Sequence, residues 1–201
     1  MSRYGAWMSA ADRWNERYTQ DFQPFPDAPA PWLVEHRELL GGGGRALDVA
    51  CGDGRNALYL ARHDYAVDAI DASDVAIGAL RAAARARGLA ISPRVVDLER
   101  EPLPEGPYDI IVTMNFLQRD LFGALQDALG AGGLLFYETL GQAHIEQLGR
   151  SFNPDYLLED GELLRAFDRL EMVARFEGVA ERAGGPRGVG AVVARRASGG
   201  R

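Results

Sequence analysis

One stretch decides the fold: Arg45-Ala46-Leu47-Asp48-Val49-Ala50-Cys51-Gly52-Asp53-Gly54-Arg55-Asn56-Ala57-Leu58-Tyr59-Leu60-Ala61. It predicts a short strand, a turn broken by Gly52 and Gly54, and a helix whose apolar residues recur at helical spacing. Such a turn presents backbone N–H groups to a ligand, and the missing Cβ atoms allow a close approach. We expect it to hold a small molecule with a carboxylate or a phosphate; the alternative is a βα turn that binds nothing.

The rest of the chain alternates predicted strands with predicted helices. The strands are Ala46–Cys51, Ala66–Asp71, Ile91–Val96, Tyr108–Met114, Gly133–Glu138, Arg169–Val179 and Gly188–Arg195. The helices between them are Val75–Arg87, Asp120–Leu129 and Glu162–Phe167. Alternation of this kind predicts a parallel sheet with helices on both faces. The last two strands flank a short glycine turn, so they must be antiparallel. We predict an α/β, doubly wound, mostly parallel, seven-stranded Rossmann-like sheet with an antiparallel C-terminal strand pair.

The sequence suggests a single domain over residues 1–201. Residues 1–44 form an N-terminal helical cap, with helical patterns over Trp7–Gln20 and Trp32–Leu40. Residues 45–196 form the sheet core, and 197–201 form a tail. No linker is long enough to separate a second domain.

Composition excludes several classes of function. The 201 residues carry a net charge of −7, which argues against a nucleic-acid partner. There is no lysine, so a Schiff-base mechanism is excluded. The single Cys51 excludes an intramolecular disulfide and is expected to be a small buried residue. No signal peptide and no membrane-spanning run is visible, so we expect a cytoplasmic protein with no membrane partner, and we predict no metal site.

Acidic residues follow the predicted strands at the edge where open α/β sheets bind ligands. Asp71 ends the second strand, about twenty residues after the glycine turn, where a carboxylate accepts from ribose hydroxyls. The alternative is a helix-capping acid. Asp97 ends the third strand and could accept from an adenine amino group, with the Leu98 amide donating to the ring; the alternative is a solvated loop acid. Asn115 follows the fourth strand and is expected to face the same cleft.

Two cofactor classes use this arrangement. The spacing Gly52-x-Gly54-x-x-Ala57, with Asp71 beyond it, satisfies the dinucleotide fingerprint. Three features favour S-adenosylmethionine instead. Asp48 lies inside the first strand and could orient a bound amino group, Asp97 is placed for adenine, and a dinucleotide half-fold has no antiparallel final pair.

The motifs resemble those of a known family. Leu47–Gly54 is similar to the first motif of class I S-adenosylmethionine-dependent methyltransferases, Ala69–Ser73 to the second and Val96–Leu98 to the third. Three further segments resemble bacterial tellurite-resistance and related small-molecule methyltransferases: Cys51–Asn56, Trp14–Tyr18 and Asn115–Arg119.

The resemblance implies a set of cofactor-binding residues: Tyr18, Asp48, Gly52, Gly54, Arg55, Asp71, Ala72, Asp97, Leu98 and Asn115. Asp48 and the two glycines would border the methionine part of S-adenosylmethionine. Tyr18 would close over that end, and Arg55 would lie near its carboxylate.

No catalytic residue aligns with the family's motifs. His144 is the best candidate for a general base, against the alternative of a surface histidine. Arg150 could bind an anionic substrate, against the alternative of a surface ion pair. We predict methyl transfer from S-adenosylmethionine to a small-molecule acceptor by in-line displacement. The alternatives are a non-catalytic S-adenosylmethionine-binding module and an NAD-linked oxidoreductase.

Overall fold

The computed structural model describes residues 9–20, 28–182 and 184–199. The predicted helix Trp7–Gln20 includes Trp7 and Met8, which lie outside the described residues, as do residues 21–27 of the predicted N-terminal cap. The helices and strands follow in chain order: α1 (Ala10–Gln20), α2 (Pro31–Glu35), β1 (Gly44–Val49), α3 (Arg55–Ala61), β2 (Tyr65–Asp71), α4 (Asp74–Arg87), β3 (Ile91–Val95), β4 (Tyr108–Met114), α5 (Phe122–Ala128), β5 (Leu129–Leu140), α6 (Ala143–Glu146), α7 (Glu162–Ala166), β6 (Glu171–Arg182) and β7 (Gly185–Arg195).

The chain divides into two compact units, one within residues 1–29 and 40–103, the other within 30–39 and 104–201. In the first unit β1 pairs with β2 and β2 with β3, all in parallel. Helix α4 begins where the hydroxyl of Ser73 accepts from the Ala76 amide at 3.1 Å, and it ends at Gly88 with a positive φ of 63°. Both residues suit these positions, because serine satisfies a free amide at a helix start and glycine adopts the left-handed conformation at a helix end.

In the second unit β4 and β5 are parallel, whereas β7 is antiparallel to both β5 and β6. This confirms the predicted antiparallel pair at the end of the chain. Helix α2 also belongs here, because the indole N–H of Trp32 donates to the Val192 carbonyl at 3.1 Å. The segment predicted as one N-terminal cap is therefore divided, with α1 in the first unit and α2 in the second.

The strands follow the order β3-β2-β1-β4-β5-β7-β6. This order, with parallel strands first and antiparallel strands last, confirms the predicted seven-stranded Rossmann-like α/β fold. Within the described parts of the chain, no helix combines the length and the apolar character that crossing a bilayer requires.

Several predicted boundaries differ from the structure. Strand β5 begins at Leu129, which was expected to end a helix, rather than at Gly133. The glycines of this segment suggested a break, but Gly133 lies within the strand. A glycine is needed there because a Cβ would collide with the Tyr108 carbonyl of the neighbouring strand. Strands β6 and β7 are also longer than predicted, since their pairing continues to Arg182 and Gly185 at the turn.

Candidate functional site

The turn after β1 is held by backbone hydrogen bonds to the end of β2. The Cys51 amide donates to the Ile70 carbonyl at 2.9 Å, and the Gly54 amide donates to the Cys51 carbonyl at 3.0 Å. The φ angles of Ala50, Gly52 and Gly54 are 52°, 55° and 83°. Glycine adopts these left-handed values at no steric cost, which accounts for the two glycines of the motif.

Asp71 stands at the end of β2 with its carboxylate already oriented. Its Oδ2 accepts from the Gly52 amide and its Oδ1 from the Ser73 amide, both at 2.9 Å. The residue is 8% exposed, and burial raises the pKa of the carboxyl against the opposing effect of these amide bonds. A carboxylate has about four acceptor positions, so two amide donors leave capacity for further hydroxyl donors.

Asp48 is more deeply buried, at 1% exposure. Its Oδ2 accepts from the Ala57 amide in the first turn of α3 at 2.9 Å. Burial raises the pKa of this carboxyl to about 7, although the Ala57 amide and the charge of Arg55 act in the opposite direction. The side chain therefore ties the start of α3 to β1, and three amides of the glycine turn and helix start (Gly52, Gly54 and Ala57) donate within the chain.

Helix α1 lies against the same edge of the first unit. The Ser73 hydroxyl donates to Asn15 Oδ1 at 2.7 Å, and Arg13 pairs with Glu99 at 2.9 Å. The Tyr18 hydroxyl lies directly over the turn, since a Cβ on Gly52 would collide with it. Burial and the neighbouring carboxylates raise the pKa of Tyr18, so the phenol stays neutral.

The structure thus brings Tyr18, Gly52 and Asp71 together, whereas other predicted residues have different surroundings. Asp97 bonds within its own loop: Oδ1 accepts from the Glu99 amide at 3.1 Å and Oδ2 lies 3.6 Å from Arg100 Nε. Arg55, Ala72 and Leu98 are half-buried. Cys51 is buried as expected, and burial raises the pKa of its thiol, which keeps it unreactive.

The remaining candidates lie in the second unit. Asn115 follows β4 with a positive φ of 56°, and its amide donates to the Glu138 carbonyl at 2.8 Å. Its side-chain oxygen accepts from Arg187 Nη1 at 3.4 Å.

His144 lies on α6 and is 6% exposed, so the alternative of a surface histidine is wrong. Its Nδ1 accepts from the Gly188 amide at 3.3 Å. Strand β7 comes this close because Gly188 has no Cβ, which would overlap the backbone of α6. Burial, followed by the charges of Arg150 and Arg187, lowers the pKa of His144. The neutral imidazole therefore carries its proton on Nε2 and presents a donor there.

Arg150 is exposed and makes no hydrogen bond or ion pair with any described residue. The alternative of a surface ion pair for Arg150 is therefore wrong within the part of the chain that the structure describes.

Two interactions of the second unit were missed by sequence reasoning. Arg182, near the turn of the β6–β7 hairpin, binds Glu138 through Nε at 2.9 Å and through Nη2 at 2.6 Å, and both side chains are under a tenth exposed. Arg119 pairs with Glu162 at 2.6 Å and donates to the Leu157 carbonyl at 2.9 Å. For the Arg182–Glu138 pair, the sequence offered one indication, which is the carboxylate of Glu138 at the end of the apolar run of β5.

Residues 46–133 match the family model described as a methyltransferase domain. The chain is 29% identical over 144 residues to the ubiquinone biosynthesis O-methyltransferase of Burkholderia multivorans, covering 66% of this chain and 60% of that protein. It is 33% identical over 103 residues to the same-named protein of Caulobacter vibrioides, covering 48% of this chain and 40% of that one. The chain thus spans three fifths or less of the length of these relatives.

The fold is also similar to solved structures. TehB from Haemophilus influenzae superposes with a TM-score of 0.74 at 20% identity, over 90% of this chain and 66% of that one. A protein solved for the conversion of a disulfide bond into a thioacetal group during echinomycin biosynthesis also gives 0.74 at 20% identity, over 94% of this chain and 93% of that one. At this identity the likeness shows the fold.

Proposed function

We propose that this chain, which belongs to the class I S-adenosylmethionine-dependent methyltransferases, transfers a methyl group from S-adenosylmethionine to a small-molecule acceptor. The observation that carries the proposal is the Asp71 carboxylate, held at the end of β2 by the Gly52 and Ser73 amides. A carboxylate so oriented, with acceptor capacity left, suits the two vicinal hydroxyls of a ribose.

The other residues of the first unit fit the rest of the cofactor. The turn that Gly52 and Gly54 form with positive φ angles would border the methionine part, and the neutral hydroxyl of Tyr18 covers the turn at Gly52. Asp48 holds the start of α3 in place behind the turn. Asp97 and Leu98 are the proposed adenine contacts at the end of β3.

The hydrogen bonding of the turn favours S-adenosylmethionine over a dinucleotide. A pyrophosphate is bound by amides of the glycine turn and helix start. Here the amides of Gly52, Gly54 and Ala57 donate to oxygens of the chain itself. S-adenosylmethionine has no phosphate, so the internal hydrogen bonds of these three amides are compatible with its binding.

When bound, S-adenosylmethionine supplies a methyl group already activated by its sulfonium. The protein's task is then to hold the acceptor in line with the bond that breaks, and such orientation contributes roughly 7–11 kcal/mol. His144 does not suit the role of general base, because the nitrogen with its lone pair already accepts from Gly188. We propose that alignment, without a dedicated base, carries the reaction.

Calorimetric titration with S-adenosylhomocysteine, beside NAD, tests the cofactor assignment. Asp71→Ala should weaken S-adenosylhomocysteine binding by about 1–3 kcal/mol, roughly tenfold to a hundredfold, because buried polar partners lose their acceptor. Asp74→Ala, an exposed acid at the start of α4, is the matched control. Binding of NAD in preference, or an unchanged affinity of the Asp71 variant, would overturn the assignment.

Activity is tested separately with S-adenosylmethionine labelled in its methyl group and a panel of phenols, amines, thiols and carboxylates. Transfer to any member supports catalysis. Tight cofactor binding without transfer to any of them would favour a non-catalytic binding module.

A further inference from the structure

Two arginines of the second unit lie next to the contacts of His144 and pair with no carboxylate of the described residues. Arg187 precedes Gly188, whose amide donates to His144 Nδ1 at 3.3 Å, and Arg150 lies two residues before Phe152, whose ring contacts the imidazole. Arg187 makes its one hydrogen bond, among described residues, to the neutral amide of Asn115 at 3.4 Å. Arg150 makes none there. Their charges, after burial, also lower the pKa of His144. The chain has 29 acidic residues and 22 arginines, so carboxylate partners are plentiful, and these two arginines without one need an explanation.

Other arginines of the same unit show the contrast. Arg182 forms an ion pair with Glu138, with Glu35 3.7 Å away, and Arg119 forms an ion pair with Glu162. Their guanidinium groups therefore stabilise the fold and are not available to a ligand. The donors of Arg187 and Arg150 remain available for a ligand, and a guanidinium binds carboxylate or phosphate through paired N–H donors.

The surroundings of His144 add a polar donor and an apolar surface. The neutral imidazole presents Nε2–H, since Nδ1 accepts from Gly188. The Phe152 ring stands edge-on to the imidazole with centroids 5.9 Å apart, and it is 42% exposed. An anionic group on an apolar body fits this combination better than a neutral polar molecule does.

We infer that Arg187 and Arg150, with the His144 ring and Phe152, form an anion-recognition subsite for an acceptor that carries a carboxylate or phosphate group on an apolar body. The inference deepens the proposed function, on which it rests, by naming the chemical class of the acceptor. Asn115 holds the Arg187 side chain at the end of β4 until an anion replaces that weak contact.

The test uses benzoate as the probe and benzamide as its neutral isostere, with the full chain saturated by S-adenosylhomocysteine. The three histidines His36, His63 and His144 are followed by proton NMR across pH. Benzoate should raise the titration midpoint of His144 alone, because the bound anion offsets the charges of the two arginines. Inorganic phosphate in a parallel titration distinguishes a phosphate-bearing acceptor from a carboxylate.

Variants then assign the site. Arg187→Gln and Arg150→Gln should each weaken benzoate binding about tenfold, the loss expected for a charge-assisted hydrogen bond. Arg175→Gln changes an exposed arginine on β6 that pairs with no described residue, and it should leave benzoate binding unchanged. Equal binding of benzoate and benzamide, no shift at His144 with either anion, or equal losses in all three variants would overturn the inference. Those outcomes leave the proposed function standing when S-adenosylhomocysteine still binds, whereas failure of S-adenosylhomocysteine to bind overturns the proposed function itself.

Discussion

Asp48→Asn should make the protein more stable at neutral and alkaline pH. The Asp48 carboxyl is almost completely buried, with a single amide donor from Ala57, and its pKa is raised from 3.8 to about 7. Below about pH 4 the Asp48 carboxyl is protonated in the folded and unfolded states alike, so its ionisation does not lower the free energy of unfolding. Between about pH 4 and 7 only the unfolded chain loses the proton, and stability falls as pH rises. Asparagine keeps an oxygen for the Ala57 amide and cannot ionise.

The magnitude follows from the difference between the two pKa values, about 7 minus 3.8, or about 3 pH units. At about 1.36 kcal/mol per unit this corresponds to about 4 kcal/mol above pH 7. The advantage of the asparagine variant should therefore grow by about 1.4 kcal/mol for each pH unit in that window.

Urea unfolding of both proteins at several pH values between 5 and 8 measures this difference. Glu105→Gln, which changes an exposed acid in a loop, should show no such dependence on pH. A stability difference for Asp48→Asn that stays constant from pH 5 to 8 would refute the reasoning, and so would a variant that is less stable than the natural protein at pH 8.

Two further stability predictions concern buried contacts. Arg182→Met should destabilise the protein by about 3–5 kcal/mol in thermal unfolding, since it leaves the Glu138 carboxylate buried and uncompensated. Adding Glu138→Leu should recover most of this loss. A loss of less than about 1 kcal/mol in the Arg182→Met variant would contradict the prediction. Gly54→Ala should cost about 2–5 kcal/mol in urea unfolding, because φ is 83° and the added Cβ would meet the Leu80 side chain. Gly78→Ala, with open space around it, is the control, and an equal loss there would contradict the steric argument.

The fold was predictable because its signals are local. Alternating strands and helices, with a turn too short for a crossover at the end, determine which strands are parallel. The start of β5 was not predictable from the same signals. Gly133 looks like a break, and only the position of Tyr108 on the neighbouring strand explains why a glycine is needed inside the strand.

The candidate site was predictable to the same extent. The turn glycines and the acids of β1 and β2 follow one another within about two dozen residues, so a motif can place them. The contacts of Glu138 with Arg182 and of Asn115 with Arg187 join residues 44 and 72 positions apart. The long β6–β7 hairpin brings these arginines to the ends of β4 and β5. No pattern in the sequence predicts how far the pairing of β6 with β7 extends toward the turn. The burial of His144 depends in the same way on the approach of Gly188.

Asp48 and Asp71 look alike in the sequence, as acids on consecutive strands, but the structure gives them different tasks. Asp48, at 1% exposure, bonds inward to the start of α3. Asp71, at 8%, is oriented by two amides and keeps acceptor capacity at the edge of the sheet. A ligand hydroxyl can replace water at Asp71 without breaking either amide bond, whereas at Asp48 the same contact requires access to a closed interior. Removal of the Asp71 carboxylate should therefore reduce cofactor affinity more than Asp48→Asn does, and the reverse order would assign direct contact to the buried acid.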